Sequence, residues 1–430
     1  GIAKGAELTS RSTYQNTWTN PNGTKVTQMS RVPLNVKDGS GDWVPISTKV
    51  EETDGGGFAV DDHPLQPEFA ASTGEDGPDY TVTSSSTGDR VSFELEGERD
   101  ADAHVPTKSQ LAASDQPDAK ASHGVAYDDV LPGTDMSYQV DAGGVKEALI
   151  LERAPKTTKP SYSWKVHAPG LSVEDGPVGS IKFVDDDGKT VFSTPTPLMT
   201  DSSGVSGKSD NAVATIPVSI DHLSGDDWRI TLTPDAEWLR DEARVYPVSL
   251  DPSIWNGPSA LQSYMSTNSG QSVAATASYA SIGNSRINNA PSVWRTVLKF
   301  PYEQLYGKQI LSAQLAETQA NSGTATATTS VAGWASAYAW NCGVRNASRT
   351  NFTAGYTGTA SFDVTGQVQQ WTDASSAGGS FCLIGDENAG AYTYKKLDVS
   401  LYLQWEDKPT VAGSVSSMRD PNPGFPDQQT

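Results

Sequence analysis

Hydrophobic and polar positions alternate along much of this chain, the pattern of strands with one face buried and one face wet. At 26–36, Met29, Arg31, Pro33 and Asn35 alternate with Ser30, Val32, Leu34 and Val36. A turn follows at 38–42 (Asp-Gly-Ser-Gly-Asp), and a strand resumes at 43–46. A second hairpin is predicted from 80–83 and 90–96 around the turn at 87–89. Further strands are predicted at 124–127, 136–140, 145–151, 161–167, 181–184, 190–192, 212–220, 228–233 and 245–250. After residue 251 they recur at 262–265, 275–281, 293–300, 310–317, 325–335, 360–363, 380–384 and 396–405. Short strands separated by turn signals fit an all-β chain: a β-sandwich region followed by a jelly-roll β-sandwich.

Helical signals are few. Thr233 followed by Pro234, with Asp235 and Glu237 behind it, predicts a helix start capped by Thr233. Within 361–371, Thr365 is placed to cap a short helix whose Val364, Val368 and Trp371 share one face. Residues 1–27 are polar and Asn/Thr-rich and are predicted to be an irregular arm. Residues 97–122, rich in Ala, Asp and Lys without a period, are predicted to be a long exposed loop. The expected organisation is an arm at 1–27, a sandwich-like region of one or two sub-domains at 28–250, a jelly roll at 251–408, and a Pro-rich linker at 409–430. The polar start, without an apolar signal-peptide core, and the linker-like end suggest a mature or excised fragment.

Composition narrows the partners. A formal net charge of −21 repels nucleic-acid phosphates and anionic membranes, and serves solubility. No stretch approaches the ~18–20 apolar residues of a helical membrane span. The 39 glycines, 26 prolines and abundant Ser and Thr suit a secreted β protein. In that setting the two cysteines, Cys342 and Cys382, are expected to form one disulfide, the alternative being two buried free thiols. Closing a loop of about 40 residues would stabilise the fold by roughly 4 kcal/mol in the chain-entropy model. Intact mass with and without reductant should reveal the bond, and two free thiols in the secreted protein would refute it.

No catalytic pattern holds. There is no Gly-x-Ser-x-Gly elbow and no His-Glu-x-x-His. The run ending at Lys208 and Ser209 has Ser202 where a P-loop needs Gly. The pair Asp221 and His222 points to opposite faces of a strand. The acidic turn at 185–189 lacks the Gly and Glu positions of an EF-hand, so a hairpin turn is expected there. The adjacent carboxylates Asp128/Asp129 and Glu51/Glu52 are expected by chance in a chain with 52 acidic residues. Aromatic residues are the better signal, because sugar rings stack on exposed Trp and Tyr. Trp334, Tyr338 and Trp340 share even parity and would line one face of an extended strand, or fill the core. Tyr392 and Tyr394 share a face of an Ala/Gly-rich loop, whereas Trp294, Trp371 and Trp405 have the phase of core residues.

Two stretches carry a family resemblance. Arg295 to Phe300, Ser312-Ala-Gln-Leu315, Trp334, Trp340, the segment 362–371 and the strand 379–384 together resemble the DNRLRE family, secreted jelly-roll modules related to carbohydrate-binding modules. Upstream, Ser30-Arg-Val-Pro-Leu-Asn35 with Gly41-Asp-Trp-Val-Pro-Ile46 resembles the opening region of secreted actinobacterial wall-associated RHS (YD-repeat) proteins. So do Tyr127 to Asp135, Lys146 with Glu147, Pro195 to Asp201, and Thr233 to Leu239. In that family such a region precedes a repeat shell that often carries a polymorphic toxin; no YD repeat or toxin domain stands in these residues.

The resemblance implies a cell-wall, carbohydrate-binding module that is not an enzyme. The expected partner is a polysaccharide or cell-wall glycan, with Trp334, Tyr338, Trp340, Tyr392 and Tyr394 as the binding residues. A structural plug or attachment module contacting an RHS repeat polypeptide is the alternative, and a polysaccharide-degrading enzyme is a third class. No cofactor is expected beyond a structural calcium of the kind jelly-roll modules hold where strand ends meet, with Asp251 as one possible ligand.

Overall fold

The computed structural model describes residues 1–409 except 75–76, 115–118, 204–210, 258–260, 268–271, 276–279, 288–289, 320–326, 335–348, 353–358, 376–379, 386 and 388–393. The fold is all-β, and its buried side chains form two main hydrophobic cores.

The first core runs from Val50 to Ile254. One of its walls is an eight-stranded sheet whose order begins Val218–Ser224, Asp227–Leu232, Tyr162–His167, Arg90–Leu95 and Tyr80–Thr83. The opposite wall carries Gly124–Leu131, Thr134–Asp141 and Gly144–Leu151 in antiparallel register. Aromatic rings join the walls: Tyr80 lies 4.6 Å from Tyr138, and Phe93 lies 6.1 Å from Phe183.

Gly144–Leu151 is buried at all eight positions. A strand covered on both faces needs something outside it. That cover comes from part of the segment expected to be a long exposed loop. Residues Lys108–Ala113 form a helix, closed by a capping box between Thr107 and Gln110, and Ala113 packs on Ala148 and Ile150. The loop expectation is corrected accordingly. The missing cue was Thr107 three residues before Gln110.

The expected irregular arm is also corrected. Glu7–Ser12, Gln15–Thr19 and Lys25–Ser30 form an antiparallel meander. Its last strand pairs with the far end of the chain, in a register running from Lys25 opposite Trp405 to Ser30 opposite Ser400. The resulting sheet continues through Lys395–Asp407 to Lys308–Gln319 and Thr359–Asp363. Facing it are Leu261–Thr267, Ala290–Lys299, Ser380–Ile384 and Ala327–Trp334. Ala280–Ile287 joins both sheets, pairing first with Lys395–Asp407 and then with Ala290–Lys299. Met29 therefore belongs to the second core, while Ile254 belongs to the first.

Both helix starts differ from expectation by their caps. The helix Ala236–Arg240 is capped by Asp235, whose carboxylate accepts from the Glu237 and Trp238 amides, so Thr233 lies outside it. The helix Thr365–Asp373 begins after Val364, and the Thr365 hydroxyl accepts instead from the Ala313 amide at 2.9 Å, tying helix to sheet. Its apolar face behaves as expected: Val368 is fully buried, and Trp371 packs 5.0 Å from Phe381. Trp294 and Trp405 are core residues as well. The acidic turn at 185–189 is the expected hairpin turn, with Asp185 Oδ1 accepting from the Asp187 and Lys189 amides.

Candidate functional site

Of the five aromatic residues singled out in the sequence, Trp334 ends the strand Ala327–Trp334, opposite Ser380. Tyr338, Trp340 and Tyr392 lie outside the described residues. Tyr394 is half-buried against the sandwich: its ring is 5.7 Å from that of Trp294, and its hydroxyl is 3.1 Å from Ser281 Oγ. Cys382 is buried in Ser380–Ile384, and Cys342, its expected partner, lies outside the described residues.

A different aromatic surface is built by the sheet that the N-terminal strands complete. Along Lys395–Asp407 the side chains of Leu397, Val399, Leu401, Leu403 and Trp405 point inward. The alternation sends Ser400, Tyr402 and Gln404 to the other face. Across it, register aligns Arg11, Asn16, Gln28, Tyr402, Gln314 and Asp363 in one row. The next row holds Leu8, Trp18, Val26, Gln404 and Ser312. Tyr402 and Leu8 are each 38% exposed, high for side chains of their size in a sheet. Gln28 Nε2 donates to the Tyr402 hydroxyl at 3.2 Å, and partial burial, with Asp398 nearby, raises the phenol pKa. Sequence phase alone marks Tyr402 as outward; its neighbours come from strands far away in sequence, Gln28 by 374 residues.

Several groups with strongly displaced proton affinities sit in and around the first core. Glu147 is sealed among aromatic side chains, accepting from Trp164 Nε1 at 3.0 Å and Tyr80 Oη at 3.2 Å. Burial pushes its pKa up to about 8, against the lowering effect of those donors. Burial, and the carboxyl of Glu98 beside it, likewise raises Asp79, which accepts from the Leu95 amide at 2.7 Å. His63 is enclosed with Nε2 2.7 Å from the Asp141 carbonyl and Nδ1 accepting from the Leu65 amide, which sets the tautomer as Nε2–H. Burial holds its pKa down at about 4, so the ring stays neutral. Glu147, Asp79 and His63 are each at most 1% exposed, so in this conformation they bind no external substrate and act as polar struts.

Of the two adjacent carboxylate pairs that the sequence attributed to chance, Asp128/Asp129 is engaged within the fold. Asp128 contacts His104 and Gln110, and Asp129 holds Arg99 and the turn amide of Gly133. The His222 ring lies 4.5 Å from that of Trp228, tilted by 47°, and its Nε2 is 2.9 Å from the Gly225 carbonyl, apart from any acid–base pairing with Asp221. Among the described residues no group of three or more His, Cys, Asp or Glu is arranged to hold a metal ion, and no helix is long and apolar enough to cross a membrane.

The chain is similar to tRNA nuclease WapA. It is 35% identical to the protein of that name from Bacillus subtilis (strain 168) over 160 residues, a match covering 36% of this chain and 6% of WapA. The tRNA3(Ser)-specific nuclease WapA of Bacillus spizizenii is also 35% identical, over 159 residues. The chain thus spans only a small fraction of these relatives' length. The expectation that the protein is not an enzyme is overturned by these matches, because the WapA relatives are named as nucleases. Their names also make tRNA a substrate of the WapA proteins, although the chain's charge had argued against nucleic acid as a partner. No family model matches the chain. A superposition on an exo-beta-1,3-galactanase from Phanerochaete chrysosporium reaches a TM-score of 0.16 at 8% identity, too low to support any argument.

Proposed function

We propose that this chain is an extracellular, wall-associated segment of a WapA-type tRNA nuclease of the RHS kind, and that it binds polysaccharide. The observation that carries the reading is the 35% identity to WapA proteins over about a third of the chain. The family resemblance of 252–407 to carbohydrate-binding jelly rolls supplies the polysaccharide component. The fold is compatible with it: two antiparallel sandwiches offer broad sheet faces, the kind of surface on which an extended polymer can lie. In this reading the nuclease activity named for the relatives belongs to the whole protein, and these residues hold it at the wall.

The test is retention of the purified chain on isolated Gram-positive cell walls and on insoluble chitin, cellulose and β-1,3-glucan. The chain should leave the supernatant with at least one of them in moderate salt. Full recovery in the supernatant from every matrix would refute wall and polysaccharide binding together.

A further inference from the structure

We propose that the outer face of the sheet formed by Lys25–Ser30, Lys395–Asp407 and Lys308–Gln319 is a platform for a neutral polysaccharide, with Tyr402 and Trp18 as its stacking residues. This inference rests on the polysaccharide reading above and gives it a location.

Three observations carry it. Tyr402 is exposed in the middle of a sheet, flanked by Gln28 on one strand and Gln314 on the other. Trp18 lies two strands and one row away. With strands about 4.8 Å apart and a rise of about 3.4 Å per residue, the two aromatic positions are roughly 12 Å apart, the span of a short oligosaccharide. Beside Tyr402 stand the amides Gln28 and Gln314, while Trp18 is flanked by the apolar Leu8 and Val26, and Gln404 between the two is held by the Gly1 amine and the Thr24 hydroxyl. Each amide both donates and accepts, which matches sugar hydroxyls, while the aromatic face meets the sugar's C–H face.

Charge selects the ligand class. Arg11 ends the Tyr402 row beyond Asn16, where its Nη1 donates to the Trp43 carbonyl at 3.0 Å, and the positions beside Tyr402 and Trp18 in the two rows hold no other Lys or Arg to pair with a phosphate or uronate polymer. Asp363 stands at one end of its row and Arg11 at the other, on a chain whose net charge is −21. Anionic wall polymers are repelled by such a chain, and neutral hexose or N-acetylhexosamine chains are not.

The experiment compares the full chain with Tyr402→Ala, Trp18→Ala, Gln314→Ala and Tyr402→Phe on chitin, cellulose and β-1,3-glucan, with thermal melts run in parallel. On the matrix that retains the wild type, Tyr402→Ala and Trp18→Ala should each weaken binding at least about tenfold, the cost of losing one good contact. Tyr402→Phe keeps the ring and should stay within about twofold. Gln314→Ala, a mild change on a neighbouring strand, should weaken binding without shifting the melt. If the wild type binds and the two alanine variants bind equally well with unchanged melts, this location is wrong while the polysaccharide reading stands. If Tyr402→Ala melts early, Gln314→Ala and Tyr402→Phe decide: unchanged binding by Gln314→Ala, or loss of binding by Tyr402→Phe, overturns the platform. If the wild type binds no matrix, both the platform and the reading beneath it fall.

Discussion

A chain lacking residues 1–34 should lose the cooperative stability of its C-terminal sandwich. The strand Lys25–Ser30 covers one side of Lys395–Asp407, so its removal strips six residue pairings from the centre of a sheet. Met29 is fully buried in the second core, and truncating a side chain of that kind costs about 2–5 kcal/mol by itself. Trp405 Nε1 loses its acceptor, Thr27 Oγ1 at 3.0 Å, leaving a buried donor unsatisfied at a further cost of about 1–3 kcal/mol. Arg31 no longer reaches the Lys299 carbonyl or the ring of Phe300.

The first core draws nothing from residues 1–34 and should persist. The expected result is a two-step melt in which the second sandwich unfolds earlier by on the order of 10 °C or more, with a newly protease-sensitive edge at 395–407. Adding a peptide spanning residues 1–37 should restore part of the lost stability by strand addition. A truncated chain that melts like the full one would show that the meander is decoration.

The second large effect concerns Glu147. Its pKa is raised by burial to about 8 from an ordinary 4.5. The folded state therefore binds this proton more tightly than the unfolded state. Stability from this residue is complete below the unfolded pKa, falls as pH rises toward 8, and is flat above it. A glutamine has the shape of the protonated acid: its oxygen can accept from Trp164, and its amide can donate to the Tyr80 oxygen. The Glu147→Gln chain should thus be more stable than wild type by under about 1 kcal/mol near pH 5, rising to roughly 3–5 kcal/mol near pH 9. Denaturant melts across that range measure the difference. A gap that does not widen with pH, or a variant less stable at pH 9, would show that Glu147 is ionised in the fold.

Burial on both faces explains where the sequence signal failed. Lys146 and Glu147 look like an ordinary exposed pair, since charged residues in a strand normally mark its wet side. Here the strand is central, Lys146 reaches Asp251 at 3.4 Å, and Glu147 is caged by Tyr80, Tyr138 and Trp164. Local pattern reports periodicity, and it is blind to which elements later cover each face. The shifted caps have a similar origin. Thr233 and Asp235 are both capable caps, and the choice between them depends on where Trp238 and Leu239 must point to reach the core.

The chain's own local pattern determined that this protein is all-β, that its turns lie at 38–42 and 185–189, that Trp294 and Trp405 face inward by strand alternation, and that Trp371 does so by helical spacing. Those properties depend on neighbours within a few residues, which a strand or turn cannot escape. Only the tertiary structure decided that the polar first 30 residues are strands, because they have no apolar core of their own and become ordered by pairing with a strand more than 370 residues away. The same long-range register set Tyr402 among Gln28, Gln314 and Gln404: phase along one strand says which way a side chain points, and the pairing of strands says what stands beside it.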